Sequence, residues 1–210
     1  PVIYAQGSLG ASGDLAPLAH MSLPLLGEGS LWFKGEIVET QKVLDQLGPK
    51  AWATHTLASK EGLALLNGTQ FMSAHGIYAT LHARRLDYFS DFIGALSTAA
   101  HDGRIEAFSQ GVHATRPQKG QVLTAQRLFN WLNESPIMHN EKVHVQDPYS
   151  FRCMPQVHGA SKNALWHAME VIEMEVNSAT DNPVVLEEED AVVSAGNFHG
   201  QPLALVLDYM

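Results

Sequence analysis

Cysteine is almost missing from these 210 residues: Cys153 stands alone. A single thiol cannot build an internal disulfide framework, and its scarcity suits a reducing compartment, so a cytoplasmic location is expected. Charge is sparse too. Only 17% of the side chains are charged, against about 25% in ordinary soluble domains. Thirteen Lys plus Arg face 22 Asp plus Glu, a formal net charge of −9, and no basic run occurs. That balance argues against a nucleic-acid groove or a patch for anionic membranes. No apolar stretch approaches the roughly 18 residues of a membrane span, and no secretory signal opens the chain. Hydrophobic residues reach 45%, which excludes wholesale disorder. A chain so apolar and so weakly charged is expected to hide much of its surface, in a large core or against other subunits.

What is present is mostly helical pattern. Over 69–100 the side chains Phe71, Tyr78, Leu81, Phe89, Phe92, Ile93 and Leu96 recur at spacings near three and four. They define one face of a long helix, with Arg84, Arg85 and Asp87 elsewhere on its surface. Val122, Leu128, Phe129 and Leu132 predict a second helix over 121–132, and Leu165, Ala168, Met169, Ile172 and Val176 a third over 157–176. The stretch 177–183 supplies its stop, since the residue before Pro183 is pushed out of helical dihedrals. A shorter helix is expected over 57–66, ending near Asn67-Gly68. Strand signals are confined to 32–38 and to 184–186 with 192–193, each a small hairpin across a polar turn. Strand and helix do not alternate, so a parallel sheet is excluded and a mainly α body with one or two hairpins is expected. The opening on Pro1 and the apolar, unstopped stretch 202–210 lead us to expect that both ends are cuts through ordered structure.

The densest segment is GSLGASGDLAPLAH at 7–20. Its glycines permit a tight turn that other residues resist. Asp14 then stands where a helix would begin, with Pro17 in the first turn. Taken alone, Ala11-Ser12-Gly13 is a common tripeptide, and the bland account is a Gly-rich loop capping a helix and cradling an anion. Three further blocks follow: KEGLALLNGTQ at 60–70, VQDPYSFRCMPQVHG at 145–159, and NSATDNP at 177–183 with SAGNFHGQP at 194–202. Singly they too have bland accounts. Asn67-Gly68 reads as a helix C-cap, Arg152 as a structural ion pair, Tyr149 as a half-buried tyrosine and Phe198 as core filling.

Together the four blocks resemble the histidine and aromatic amino acid ammonia-lyase family along essentially the whole chain. The resemblance implies a long-helix bundle of the ammonia-lyase type, with 1–210 the central part of one catalytic domain, about two-fifths of it, truncated at both ends. It implies that Ala11-Ser12-Gly13 cyclises into 4-methylidene-imidazol-5-one (MIO). The residue types suit that chemistry. The Gly13 amide nitrogen must reach the Ala11 carbonyl carbon, an approach that a residue without Cβ makes at low strain. Loss of water from Ser12 then leaves an electrophilic methylidene, and a helix N-terminus beneath it would favour attack by an amine.

By the same resemblance Asn67 points its amide into the site, Gln146 contacts substrate, Tyr149 lies beside the MIO group, Arg152 binds the substrate carboxylate and Phe198 packs on ring and substrate. A planar guanidinium matches a carboxylate in a bidentate way. Where the family more often carries Glu, this chain has Gln201. The implied reaction is loss of ammonia from a small-molecule amino acid. The wording of 66–70, 152–158 and 196–199 is nearer the histidine enzymes, giving trans-urocanate from L-histidine. Tyrosine or phenylalanine as substrate, or an aminomutase, remain open. Family members place the base that removes the β-proton on a loop N-terminal to the tripeptide, and complete each site across a homotetramer. A different class also stays open: a non-catalytic helical scaffold that only oligomerises. Intact Ala11, Ser12, Gly13, Asn67, Tyr149, Arg152 and Phe198 speak against it, since a scaffold has no use for all seven. Eleven histidines raise a metal hypothesis, but no HExxH pair occurs and His75 and His82 are two turns apart, so no metal or diffusible cofactor is expected.

Overall fold

The computed structural model describes residues 1–11 and 13–210. In chain order the elements are α1 (Ala16–Ser22), β1 (Ser30–Phe33), β2 (Glu36–Glu39), α2 (Thr40–Leu47), α3 (Glu61–Leu66) and the long α4 (Gln70–Ala100). Then come α5 (Gln110–Ala114), α6 (Lys119–Asn133), α7 (Tyr149–Arg152), α8 (Met154–Val176), β3 (Val184–Leu186), β4 (Ala191–Val193) and α9 (Gln201–Tyr209). The three long helices lie where the apolar spacing predicts them, and both expected hairpins form. The described residues divide into two compact units: 1–76 with 171–208, and 77–170 with 209–210.

In the first unit β1 and β2 pair antiparallel, with Trp32 opposite Ile37. Lys34 and Gly35 both have positive φ at the bend, the signature of a two-residue hairpin turn that matches strand twist. β3 and β4 pair with Val184 opposite Val193. Two expectations are corrected here. The short helix starts at Glu61, not at 57. The Glu61 carboxylate accepts the Ala58 N–H at 2.7 Å and pairs with His55 Nε2 at 3.0 Å, and Lys60 turns left-handed in front of it. These bonds hold 55–60 as a non-helical lead-in and draw the exposed Glu61 carboxyl below its ordinary range, the Ala58 bond first and His55 after it. Second, Asp14 does not cap α1. Leu15 occupies the N-cap without a side-chain bond, and Pro17 does sit in the first turn. Asp14 is buried instead, for reasons that belong to the site.

The second unit holds a core of Phe108, Leu128, Leu132, Met138, Met154 and Ala95. Fully burying a Phe or Leu side chain contributes about 1.5–3 kcal/mol. The face of α4 that the apolar spacing picks out is not in that core. Tyr78, Ile93 and Leu96 are 68%, 59% and 56% exposed, while Asp91, Ala95 and Thr98 are buried. Small side chains let the backbone of α4 approach its neighbours, and Asp91 carries ion pairs inward. The apolar stripe is left to solvent.

Candidate active site

The Gly-rich turn of the first unit is folded back on itself and pinned to three other segments. The Gly13 N–H donates to the Gly10 carbonyl at 3.0 Å, and the Asp14 N–H to the Gly68 carbonyl at 2.8 Å. The buried Asp14 carboxylate accepts the Ser8 hydroxyl at 2.9 Å and the Met72 N–H at 3.0 Å. The Gly200 N–H reaches the Gly10 carbonyl at 3.3 Å. Gly13 has φ +81°, and a Cβ there would stand 3.0 Å from the Gly68 nitrogen and 3.2 Å from Asn67 Oδ1. Gly68 has φ +140°, and a Cβ on it would meet the Thr180 carbonyl at 2.5 Å. Conformation and space both exclude a side chain at Gly68, while at Gly13 the conformation disfavours one and the space is tight.

Asn67 is 7% exposed, and its Nδ2 donates to the Asn182 carbonyl at 3.0 Å. The residues after it are anchored in the same direction. Thr69 Oγ1 donates to Glu175 at 2.6 Å, and Gln70 Nε2 donates to Thr180 Oγ1 at 3.2 Å. At the other end of α3, Lys60 is ion-paired with Asp181. Phe198 is half-buried in the turn that ends at Gly200. Ala11 lies in the Gly-rich turn, with its N–H on the Leu9 carbonyl at 2.5 Å. Ser12, the centre of the expected cyclisation, lies outside the described residues.

Gln146, Tyr149 and Arg152 fall in the second unit, on and just before α7. Asp147 is their organiser. Its buried carboxylate accepts the Arg104 N–H at 2.7 Å and pairs with His144 Nε2 at 2.7 Å, and its main-chain carbonyl accepts Arg152 Nε at 2.9 Å. The Arg152 guanidinium carbon stands 4.6 Å over the Tyr149 ring, an attraction of charge to ring face. Tyr149 is 74% exposed. No carboxylate is ion-paired with Arg152 among the described residues, so the ion-pair account of that residue finds no support. The outer N–H groups of a guanidinium are of the kind that hold a carboxylate. Among the described residues no group of three or more His, Cys, Asp or Glu is arranged to hold a metal ion. His75 and His82 contact the rings of Phe71 and Tyr78.

A sequence profile described as aromatic amino acid lyase matches residues 1–210. The chain belongs to that family. It is 47% identical over 213 residues to a protein named histidine ammonia-lyase from Macrococcus caseolyticus, covering 100% of this chain and 42% of that protein. Among solved structures it is similar to histidine ammonia-lyase from Trypanosoma cruzi (TM-score 0.86, 41% identity), covering 100% of this chain and 38% of that one. It is also similar to tyrosine aminomutase from Streptomyces globisporus (TM-score 0.90, 33% identity, 100% and 42%). The chain thus spans about two-fifths of the length of these relatives. Like its neighbours in the family it is mainly helical, with small two-stranded sheets. No helix among the described residues is long and apolar enough to cross a membrane.

The sequence reading of the site missed residues that act through others. Asp14 was placed at a helix start, although an acidic residue directly after a Gly-rich turn has many N–H groups within reach. Asn182 and Thr180 lie in the block at 177–183, but that block gives neither of them a role, because their partners Asn67 and Gln70 are more than a hundred residues away. In the second unit, Asp91 gathers Lys162, Arg127 and His158. His158 and Lys162 are one turn apart on α8, but Asp91 on α4 and Arg127 on α6 lie far from them in sequence, and no local pattern joins the three helices.

Proposed function

We propose that the intact polypeptide containing this chain is a histidine ammonia-lyase, a carbon–nitrogen lyase of histidine catabolism that converts L-histidine to trans-urocanate and ammonia. The names of its relatives support the substrate. The observation that carries the chemistry is the packing of Gly13 on Asn67 and Gly68, in a turn already closed from Gly13 back to Gly10. A Gly13 held so, with positive φ and little room for a Cβ, fits an MIO ring formed from Ala11-Ser12-Gly13. Such a ring supplies an electrophilic carbon that no ordinary side chain offers, and so makes an amine a better leaving group.

The chain's own residues then have separable tasks. Arg152, oriented by the Asp147 carbonyl and the Tyr149 ring, holds the substrate carboxylate through its free N–H groups, each charge-assisted bond contributing about 1.5–3 kcal/mol. Tyr149 is assigned to the MIO group, as the resemblance implies. Asn67 presents an amide oxygen on the side of Gly13. The resemblance assigns Gln146 to contact with the substrate, and Phe198 to packing on ring and substrate. The exposed apolar stripe of α4 supports a homotetramer in which other subunits cover it, in a cytoplasmic enzyme.

The test is made on the full-length protein. Histidine should be consumed with a rise in near-ultraviolet absorbance from urocanate, the intact mass should fall short of the encoded mass by two waters, and Ser12→Ala should abolish both. Turnover of tyrosine or phenylalanine in place of histidine would move the protein to the aromatic branch, and a β-amino acid product to the aminomutases. No turnover of any of the three, with an unshifted mass, would hand the case to the non-catalytic scaffold.

A further inference from the structure

We propose that Asn182 is a positioning residue, one that sets the direction of the Asn67 amide and ties it to the turn carrying Phe198. The inference rests on the lyase reading above and names a residue that reading did not use. The Asn182 carbonyl can only accept a hydrogen bond. It accepts Asn67 Nδ2 at 3.0 Å, so the NH₂ end of that amide faces Asn182, and Oδ1 is turned to the side where a Cβ on Gly13 would lie, 3.2 Å away. Reversing the amide would set two oxygens against each other inside a buried site, at the cost of an unsatisfied polar group. Asn67 is thereby fixed as an acceptor toward the tripeptide, where it suits an N–H donor such as the ammonium of an amino acid.

The Asn182 carbonyl is itself held in place. Its own N–H donates to Asp181 Oδ1 at 2.7 Å, and Asp181 is ion-paired with Lys60. Its side-chain Oδ1 accepts the Ala195 N–H at 2.8 Å and the Ser194 hydroxyl at 3.2 Å. Ala195 lies three residues before Phe198, and Gly200 beyond it bonds to Gly10. Main chain and side chain of one residue thus fix the two flanks of the Gly-rich turn, without contact to a reacting atom. Closure of the tripeptide depends instead on the turn itself, which Asp14, Gly68 and Met72 pin independently.

The experiment compares full-length wild type, Asn182→Ala, Asn182→Asp, Asn67→Ala and the Asn67→Ala/Asn182→Ala double variant. Asn182→Ala is expected to lower kcat for histidine about ten- to a hundredfold, the scale of a small misplacement, with KM within about twofold. Its intact mass should still show the loss of two waters. Asn182→Asp keeps both acceptors and should recover most of the rate. Asn182→Ala keeps the main-chain carbonyl that accepts Asn67 and removes the tie to Ala195 and Ser194. In the Asn67→Ala background it should therefore cost clearly less than it does alone, the part acting through the aim of the amide being gone while the part acting through the Phe198 turn remains. If Asn182→Ala does not fold, Asn182→Ser, too short to reach Ala195, takes its place with the same expectations. Additive effects in the double variant, no rescue by Asp, or an Asn182→Ala protein that retains its waters would each overturn the assignment. A wild type that turns over no histidine, with a mass unshifted, sinks the lyase reading first and this role with it.

Discussion

Lys162 Nζ lies 2.9 Å from the Asp91 carboxylate, and neither side chain is open to solvent. Asp91 also receives Arg127 at 3.1 Å and His158 Nδ1 at 3.0 Å, while Lys162 reaches back to Asp87 at 2.8 Å. These bonds join α4, α6 and α8 by charge where apolar contact would be the usual cement. Removing one partner of a buried pair leaves an uncompensated charge, which costs about 3–5 kcal/mol. Lys162→Met, similar in volume, is therefore expected to lower the urea midpoint of the intact protein sharply. An unchanged midpoint would show that Arg127 and His158 satisfy the two carboxylates without it.

The same cluster sets an acid limit. Burial pushes the Asp91 carboxyl up, but the bonds from His158, Lys162 and Arg127, with the charge of Lys162, together hold it below the ordinary aspartate range. A carboxyl whose folded pKa is depressed adds stability that is complete above its unfolded value, about 3.9, and is lost as pH falls through the folded value. Stability of the wild type should accordingly drop as pH is lowered through and below about 4. Asp91→Asn, less stable at neutral pH, should lose less over the same interval. Parallel acid limbs for the two proteins, measured by denaturant unfolding at each pH, would rule out this contribution.

How far these features were legible follows from their range along the chain. The helices 70–100, 119–133 and 154–176 repeat apolar side chains over many turns, and the hairpins sit between turn residues, so local pattern located them. Local pattern could not say which face of α4 is buried. Tyr78 and Ile93 are more hydrophobic than Asp91 and Thr98, yet the latter pair is inside because ion pairs and close backbone approach decide the packing. The start of α3 was misplaced because a carboxylate at Glu61 captures the Ala58 N–H, a bond that apolar spacing does not record. In the site, block wording points to residues whose side chains suit the proposed chemistry. Asp14 and Asn182 bond to partners at long separations, Met72 and Asn67, and only the folded chain brings them together.

Gly68 offers a sharp test of the turn. Its φ of +140° and the Thr180 carbonyl 2.5 Å from any Cβ leave no relaxed state for alanine. Strain of this kind costs on the order of 1–3 kcal/mol, and more where backbone must also move. Gly68→Ala should lower Tm, and it should slow or prevent the two-water mass loss, because Gly13 and Asp14 rest on Gly68. A variant that matures at the wild-type rate would mean that the turn closes without this support.

Arg152 separates charge from shape. Its Nε is committed to the Asp147 carbonyl and its guanidinium lies over Tyr149, so only the outer nitrogens face a ligand. Lysine would keep the positive charge. It would lose the planar fork, the fixed bond to Asp147 and the stacked geometry over the ring. If the guanidinium holds the substrate carboxylate, Arg152→Lys should raise KM for histidine about tenfold, equivalent to roughly 1.4 kcal/mol of lost binding. Folding should be little affected, since no carboxylate of the described chain is ion-paired with Arg152. Because the lost contact is present in ground state and transition state alike, kcat should fall less than KM rises. Unchanged KM with a collapsed kcat would instead place Arg152 at the reacting carbon and the carboxylate elsewhere. An unchanged KM and kcat, measured on full-length protein at saturating and limiting histidine, would return Arg152 to a purely structural account and leave the carboxylate without a partner in this chain.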